Sequence, residues 1–80
     1  MANTYILYSA SLGRYYIGAT KLKVEERLAY HLTHHNGYTS RAEDWEIVYI
    51  SGHKSYKGAL AEERQIKGRG ARRYLESKGK

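Results

Sequence analysis

The stretch N-T-Y-I-L-Y-S-A-S-L-G-R-Y-Y-I-G-A-T, residues 3–20, sets the reading of the chain. Two runs rich in β-branched and aromatic residues, Tyr5 to Ser9 and Tyr15 to Gly18, flank the small and polar segment Ala10 to Arg14. That pattern predicts a β-hairpin with a loop of about five residues. Its two strands carry Tyr5 and Tyr16, eleven positions apart.

Beyond Gly18 the period of the pattern changes. Val24, Leu28 and Leu32 recur every four residues, with Glu25 and Glu26 placed to complement a helix dipole. A helix is expected from Lys23 to His35, stopped by Asn36 and Gly37. Tyr38 to Asp44 reads as loop. Trp45 to Ser51, W-E-I-V-Y-I-S, reads as a third and central strand, with Ile47 and Tyr49 facing opposite Val48 and Ile50. Ser55 is placed to cap a second helix reaching Lys67, with Ala59, Leu60, Glu63, Ile66 and Lys67 on one side. Ala71 to Ser77 is a candidate third helix. The expected class is α+β, a small antiparallel sheet flanked by helices in the order β-β-α-β-α(-α), forming a single domain over 1–80.

Composition narrows the function. The chain has 80 residues, no cysteine, and 14 Lys and Arg against 8 Asp and Glu, a net charge of +6. A domain of this size buries only about 60% of its unfolded surface. No disulfide or cysteine-based zinc site supplements that core. No apolar run approaches the roughly 20 residues of a membrane span, so a cytoplasmic setting without a membrane partner is expected. The positive balance points to a polyanionic partner. Residues 68–80 read as a basic C-terminal arm or short helix, and Lys67 to Lys80 holds six basic residues and one acid. A solvated tail is the simpler account of the same stretch.

The side chains also form a chemical set. Helical spacing places Arg27, His31 and His35 on one stripe beside the apolar stripe, where they border the core. Glu63 lies four residues after Ala59 and four before Lys67, on the packed side of the second helix. One carboxylate, with water and phosphate oxygens completing the shell, suits a single Mg²⁺ or Mn²⁺ ion. Glu62 is the rival carboxylate, with a surface salt bridge as its simpler reading. His31, His34 and His35 also raise Zn²⁺ binding as a lesser alternative. Phenols, a guanidinium, an imidazole and a carboxylate are the groups phosphodiester hydrolysis needs. An unperturbed phenol, with a pKa of about 10, costs roughly 4 kcal/mol to ionise at pH 7. A tyrosine base therefore needs Arg27 nearby, or His31 to accept the phenol proton as water attacks.

These residues resemble the GIY-YIG nuclease domain, in particular the N-terminal catalytic domain of excision-repair incision nucleases. Thr4-Tyr5 stands at the first motif, without its Gly-Ile, and Tyr16-Ile17-Gly18 matches the second. The likeness continues through R-L-x-x-H at Arg27 to His31, H-N-G at His35 to Gly37, W-E-I-V-Y at Trp45 to Tyr49, and A-L-x-x-E-x-x-I-K at Ala59 to Lys67. The resemblance implies a three-stranded antiparallel sheet and metal-dependent hydrolysis of DNA. It implies Tyr5, Tyr16, Arg27, His31 and Glu63 as catalytic residues, with Glu63 also binding the divalent ion. Ala19 follows the Y-I-G where excision-repair members carry lysine, so phosphate charge is expected from Lys21 or Lys23. His35, Arg41, Lys67, Arg69, Arg72 and Arg73 are further expected nucleic-acid contacts. The expected function is a monomeric DNA endonuclease acting on repair or recombination intermediates, with a protein partner as one source of specificity. The alternative is a catalytically weak DNA-binding module or a partner-dependent nuclease subunit.

Overall fold

Burial along the first strand organises the molecule. In β1 (Ala2–Ser9), Thr4, Tyr5, Ile6 and Leu7 are all buried, so both faces of the strand are covered. A strand buried on both sides belongs in the middle of a layered sheet. The computed structural model describes residues 2–21, 23–33 and 42–78, with Arg27, 30–33 and Lys78 described through the backbone alone.

β1 pairs with β2 (Arg14–Thr20) from Asn3↔Thr20 to Ser9↔Arg14, both strands running longer than their apolar runs suggest. Gly13 closes the turn with φ of 64° and donates its N–H to the Ser9 carbonyl at 2.8 Å. A residue with a β-carbon is strained in that left-handed region.

β3 (Trp45–His53) pairs antiparallel with the other edge of β1, giving the order β2-β1-β3. The expectation of a central third strand is therefore corrected: β1 is central and β3 is an edge. β3 keeps alternating exposure, which a strand between two neighbours and two packed layers would lose. The predicted alternation within β3 also fails at one point. Leu7 pairs with Ile47 while Ile6 pairs with Tyr49, leaving Val48 as the extra residue of a bulge. Ile47 consequently packs with Tyr5 and Leu7, whereas Tyr49 packs with Ile6 on the opposite face.

One layer, on the Tyr5 and Leu7 face, is α1 (Val24–Thr33). It contributes Val24 and Leu28 to a core with Trp45 and Ala42. The expected span from Lys23 to His35 is trimmed at its start, and its proposed stop at Asn36 and Gly37 lies outside the described residues. The second layer, on the Ile6 face, is formed by α2 (Tyr56–Arg69) and α3 (Ala71–Lys78), which bring Ile66, Ala71 and Tyr74. Thr4 Oγ1 ties β1 to α2 by donating to the Ala59 carbonyl at 2.7 Å.

Ser55 caps α2 as its residue type suggests, accepting the Gly58 N–H at 3.2 Å. At the other end Gly70, with φ of 94°, donates to the Ile66 carbonyl at 2.7 Å, and α3 begins at once. Asp44 fastens the hairpin turn to the start of β3. It accepts from Ser9 Oγ at 2.6 Å, and from the Ser11 N–H and Oγ at 2.9 and 3.0 Å. The Ser9 hydroxyl first, and then the Ser11 amide, hold its carboxyl below the ordinary range.

Candidate active site

Tyr5 and Tyr16 share the α1 face of the sheet, their ring centroids 6.4 Å apart and tilted by 37°. Cross-strand pairing places them there, because Tyr5 sits opposite Gly18 and Tyr16 opposite Leu7. Tyr5 is 1% exposed, whereas Tyr16 is half-buried and meets Trp45 edge-on at 6.5 Å. Of the two phenols, Tyr16 is the one with access to solvent.

Gly18 owes its place to packing. It lies within β2, and the space its β-carbon would take is filled by the Tyr5 ring. A β-carbon at residue 18 would stand 2.5 Å from Tyr5 Oη and 2.6 Å from Tyr5 Cζ.

Arg27 and His31 lie on α1, one helical turn apart, on the helix that packs over the two tyrosines. Their side chains, together with His34, His35 and Arg41, are outside the described residues. Among the expected phosphate contacts, Lys23, Arg69 and Arg73 are exposed. Lys21 Nζ sits 5.3 Å over the Tyr56 ring. Lys67 pairs with Glu63 at 2.7 Å, and Arg72 with Glu76 at 3.5 Å.

The two glutamates of α2 differ sharply. At about 100° per residue, Glu62 and Glu63 flank the buried line through Ala59 and Ile66 on opposite sides. Glu62 leans toward β3, so Glu63 leans toward the β2 side of the α2 layer, which covers the Ile6 face and lies across the sheet from Tyr5 and Tyr16. Glu63 is 17% exposed and its ion pair with Lys67 is of the i, i+4 kind. Glu62 is 9% exposed, which corrects its reading as a surface salt bridge. Its Oε2 accepts from Tyr49 Oη and Tyr74 Oη, both at 2.7 Å, and Oε1 lies 2.6 Å from His53 Nε2. Burial pushes this carboxyl up, but hydrogen bonds from Tyr49, Tyr74, His53 and Ser51 outweigh it and hold the group at about 2. An ionised carboxylate only accepts, so His53 Nε2 carries the shared proton. The same burial, with the bond to Glu62, raises both Tyr49 and Tyr74 above the usual phenol value.

Sequence reasoning missed this four-residue cluster. The signal was present in the helical register, because Glu62 lies three residues after Ala59 and four before Ile66. Its partners are supplied by β3 and α3, and only the bulge puts Tyr49 on their side.

Among the described residues no group of three or more His, Asp or Glu side chains is arranged to hold a metal. The donor chemistry of Glu63 nevertheless fits a hard ion. One half-buried carboxylate suits Mg²⁺ or Mn²⁺, which keep several waters and take phosphate oxygens as further ligands. Glu62, with both oxygens already engaged by protein donors, fits that role poorly. No helix among the described residues is long and apolar enough to cross a membrane.

Comparison with curated proteins and with solved structures returns no match. A family model, GIY-YIG catalytic domain, matches residues 1–75. It covers the paired tyrosines, α1, β3, the α2 glutamates and most of α3, in an α+β fold with the element order expected from sequence. On this match, the chain belongs to the GIY-YIG catalytic domain family, a family of nucleases.

Proposed function

We propose that this protein is a divalent-metal-dependent endonuclease that hydrolyses DNA phosphodiester bonds. The observation that carries the reading is the shared face: Tyr5 and Tyr16 lie together beneath α1, the helix that bears Arg27 and His31.

In this reading Tyr5 is a packed member of the site and Tyr16 is the phenol that meets substrate. Water bonds to phosphorus as the opposite P–O ester bond breaks. Its proton passes to Tyr16 as the phenol gives its own to neutral His31, so no free phenolate has to wait in the site. Arg27 stabilises the charge that builds on the phosphoryl oxygens. Glu63 would hold one Mg²⁺ or Mn²⁺ ion, whose charge supports the leaving oxygen when it is bound.

Lys21, Lys23, Lys67, Arg69, Arg72 and Arg73 supply phosphate contacts, which position DNA without reading its sequence. The protein then works as a cytoplasmic monomer on branched repair or recombination intermediates chosen by shape. One observation favours the second reading, a DNA-binding module or partner-dependent subunit: Lys67 already neutralises Glu63. Incubation with supercoiled plasmid and branched DNA, in Mg²⁺, Mn²⁺ and EDTA beside E63Q, separates them. Metal-dependent nicking lost in E63Q supports the enzyme; DNA binding without nicking in any metal selects the module.

A further inference from the structure

Behind the sheet, on the α2 and α3 side, a cleft of about 350 Å³ lies among Tyr49, Ser51, His53, Glu62 and Tyr74, and its carboxylate is fully engaged by those side chains. The opposite face presents a different arrangement. Tyr16 stands there on β2, an edge strand, and is half-buried. Two χ1 rotamers are common in strands, so the backbone alone does not decide where the Tyr16 hydroxyl stands.

Its neighbours decide it. Tyr16 is paired with Leu7, and the residues two positions to either side along β1 are Tyr5 and Ser9. Tyr5 brings its own ring, with its centroid 6.4 Å from that of Tyr16. Ser9 is paired with Trp45 of β3, and the indole reaches back across β1 to meet Tyr16 at 6.5 Å and 69°, an edge-on contact that aromatic rings favour. The Tyr16 ring therefore stands between two aromatic walls, with Leu7 opposite.

Both walls are immobile. Tyr5 is 1% exposed and fills the space a side chain at residue 18 would need, and Trp45 is 3% exposed in a core with Leu7, Val24 and Ala42. Trp45 is also fixed along its strand, because Asp44 just before it accepts from Ser9 Oγ and from the Ser11 N–H and Oγ. In a close-packed interior, the Tyr16 ring cannot change rotamer without displacing one wall or the other.

We propose that Trp45 is a positioning residue that, with Tyr5, holds the Tyr16 ring in a single rotamer and so presents its hydroxyl to the substrate. Proton transfer is sensitive to such placement, since a displacement of about 1 Å costs a catalysed reaction roughly 100-fold. The inference deepens the DNA-cleaving reading and rests on it for the reaction. Trp45, being buried, acts only through Tyr16.

NMR in EDTA tests the wedge apart from cleavage. The wild-type protein should show NOEs between the Trp45 indole and the Tyr16 ring, and three-bond couplings at Tyr16 that belong to one χ1 rotamer. W45L should average those couplings, and W45F, which keeps an aromatic edge, should restore them. In plasmid nicking W45L should lower kcat about 100-fold. Its KM should change by less than about twofold, and W45F should recover most of the rate. Rates are taken well below the melting temperature of each variant, so loss of folded protein does not enter. Rotamer averaging at Tyr16 in the wild-type protein would overturn the proposal without any variant having to fold, and a folded W45L with wild-type kcat would overturn it as well. A held rotamer in a wild-type protein that nicks nothing in any metal would confirm the wedge and remove the nuclease.

Discussion

Tyr5 and Gly18 are opposed across β1 and β2, and the Tyr5 phenol occupies the volume a side chain at residue 18 would need. The first tyrosine and the glycine of the Y-I-G are thus one packing unit. Because Tyr5 is fully buried, it has no room to withdraw. Gly18→Ala should cost about 1–3 kcal/mol through overpacking, read from urea unfolding midpoints. An unchanged midpoint would mean the ring moves aside easily.

Glu62 and Glu63 should separate stability from activity. Glu62→Ala leaves Tyr49, Tyr74 and His53 facing a missing acceptor, and should destabilise by about 2 kcal/mol or more. Glu63→Gln removes an i, i+4 pair with an exposed lysine and should alter stability by less than about 0.5 kcal/mol, while abolishing metal-dependent nicking. Thermal melts and plasmid nicking of the two variants, side by side, check both halves.

Acid should unfold the protein partly through Glu62. Its carboxyl lies at about 2 in the fold against an ordinary 4.5. A depressed folded value gives stabilisation that is complete above the unfolded pKa and is lost as pH falls through the folded one. The loss should run from about pH 5 down to about pH 2 and amount to roughly 2–3 kcal/mol. In E62Q the stability curve should be flatter across that window.

At alkaline pH the sign reverses. Tyr49 and Tyr74 are raised, so their contribution is intact below the ordinary phenol value and declines as pH climbs past about 10, where the unfolded chain ionises first. Tyr49 and Tyr74 should ionise only above the ordinary phenol range in an ultraviolet titration. Ionisation of either at the ordinary phenol value, with the fold intact, would contradict the network.

The Ser55 hydroxyl accepts one of the open N–H groups at the start of α2. Ser55→Ala should lower stability by about 1 kcal/mol, and Ser55→Asp should restore most of it, both measured by thermal melting.

Much of this fold was legible because local chemistry and tertiary position agreed. The hairpin, the Ser55 cap and the apolar period of α1 depend on neighbours a few residues away, and each lies close to where the residue types put it. The sheet order was not legible. Trp45 to Ser51 is as β-prone as Tyr5 to Ser9, and only packing on both faces makes β1 the centre.

The candidate site divides in the same way. The positions of Tyr5 and Tyr16 on one face follow from hairpin pairing, which the sequence spells out. Glu62 was misjudged because a charged residue defaults to the surface unless its donors are known. Those donors come from residues 49, 53 and 74, brought together by strand pairing and by the turn at Gly70.

Val48 divides β3 into two half-strands that are out of phase. Trp45 and Ile47 answer to the α1 layer, and Tyr49, Ser51 and His53 answer to the α2 and α3 layer. Substitutions in the first half are therefore constrained by the chamber under α1, and those in the second by the cleft behind it. The two surfaces can diverge independently along a single continuous strand. Deleting Val48 alone would make β3 a regular strand in which Ile47 and Tyr49, then adjacent, keep their opposite faces.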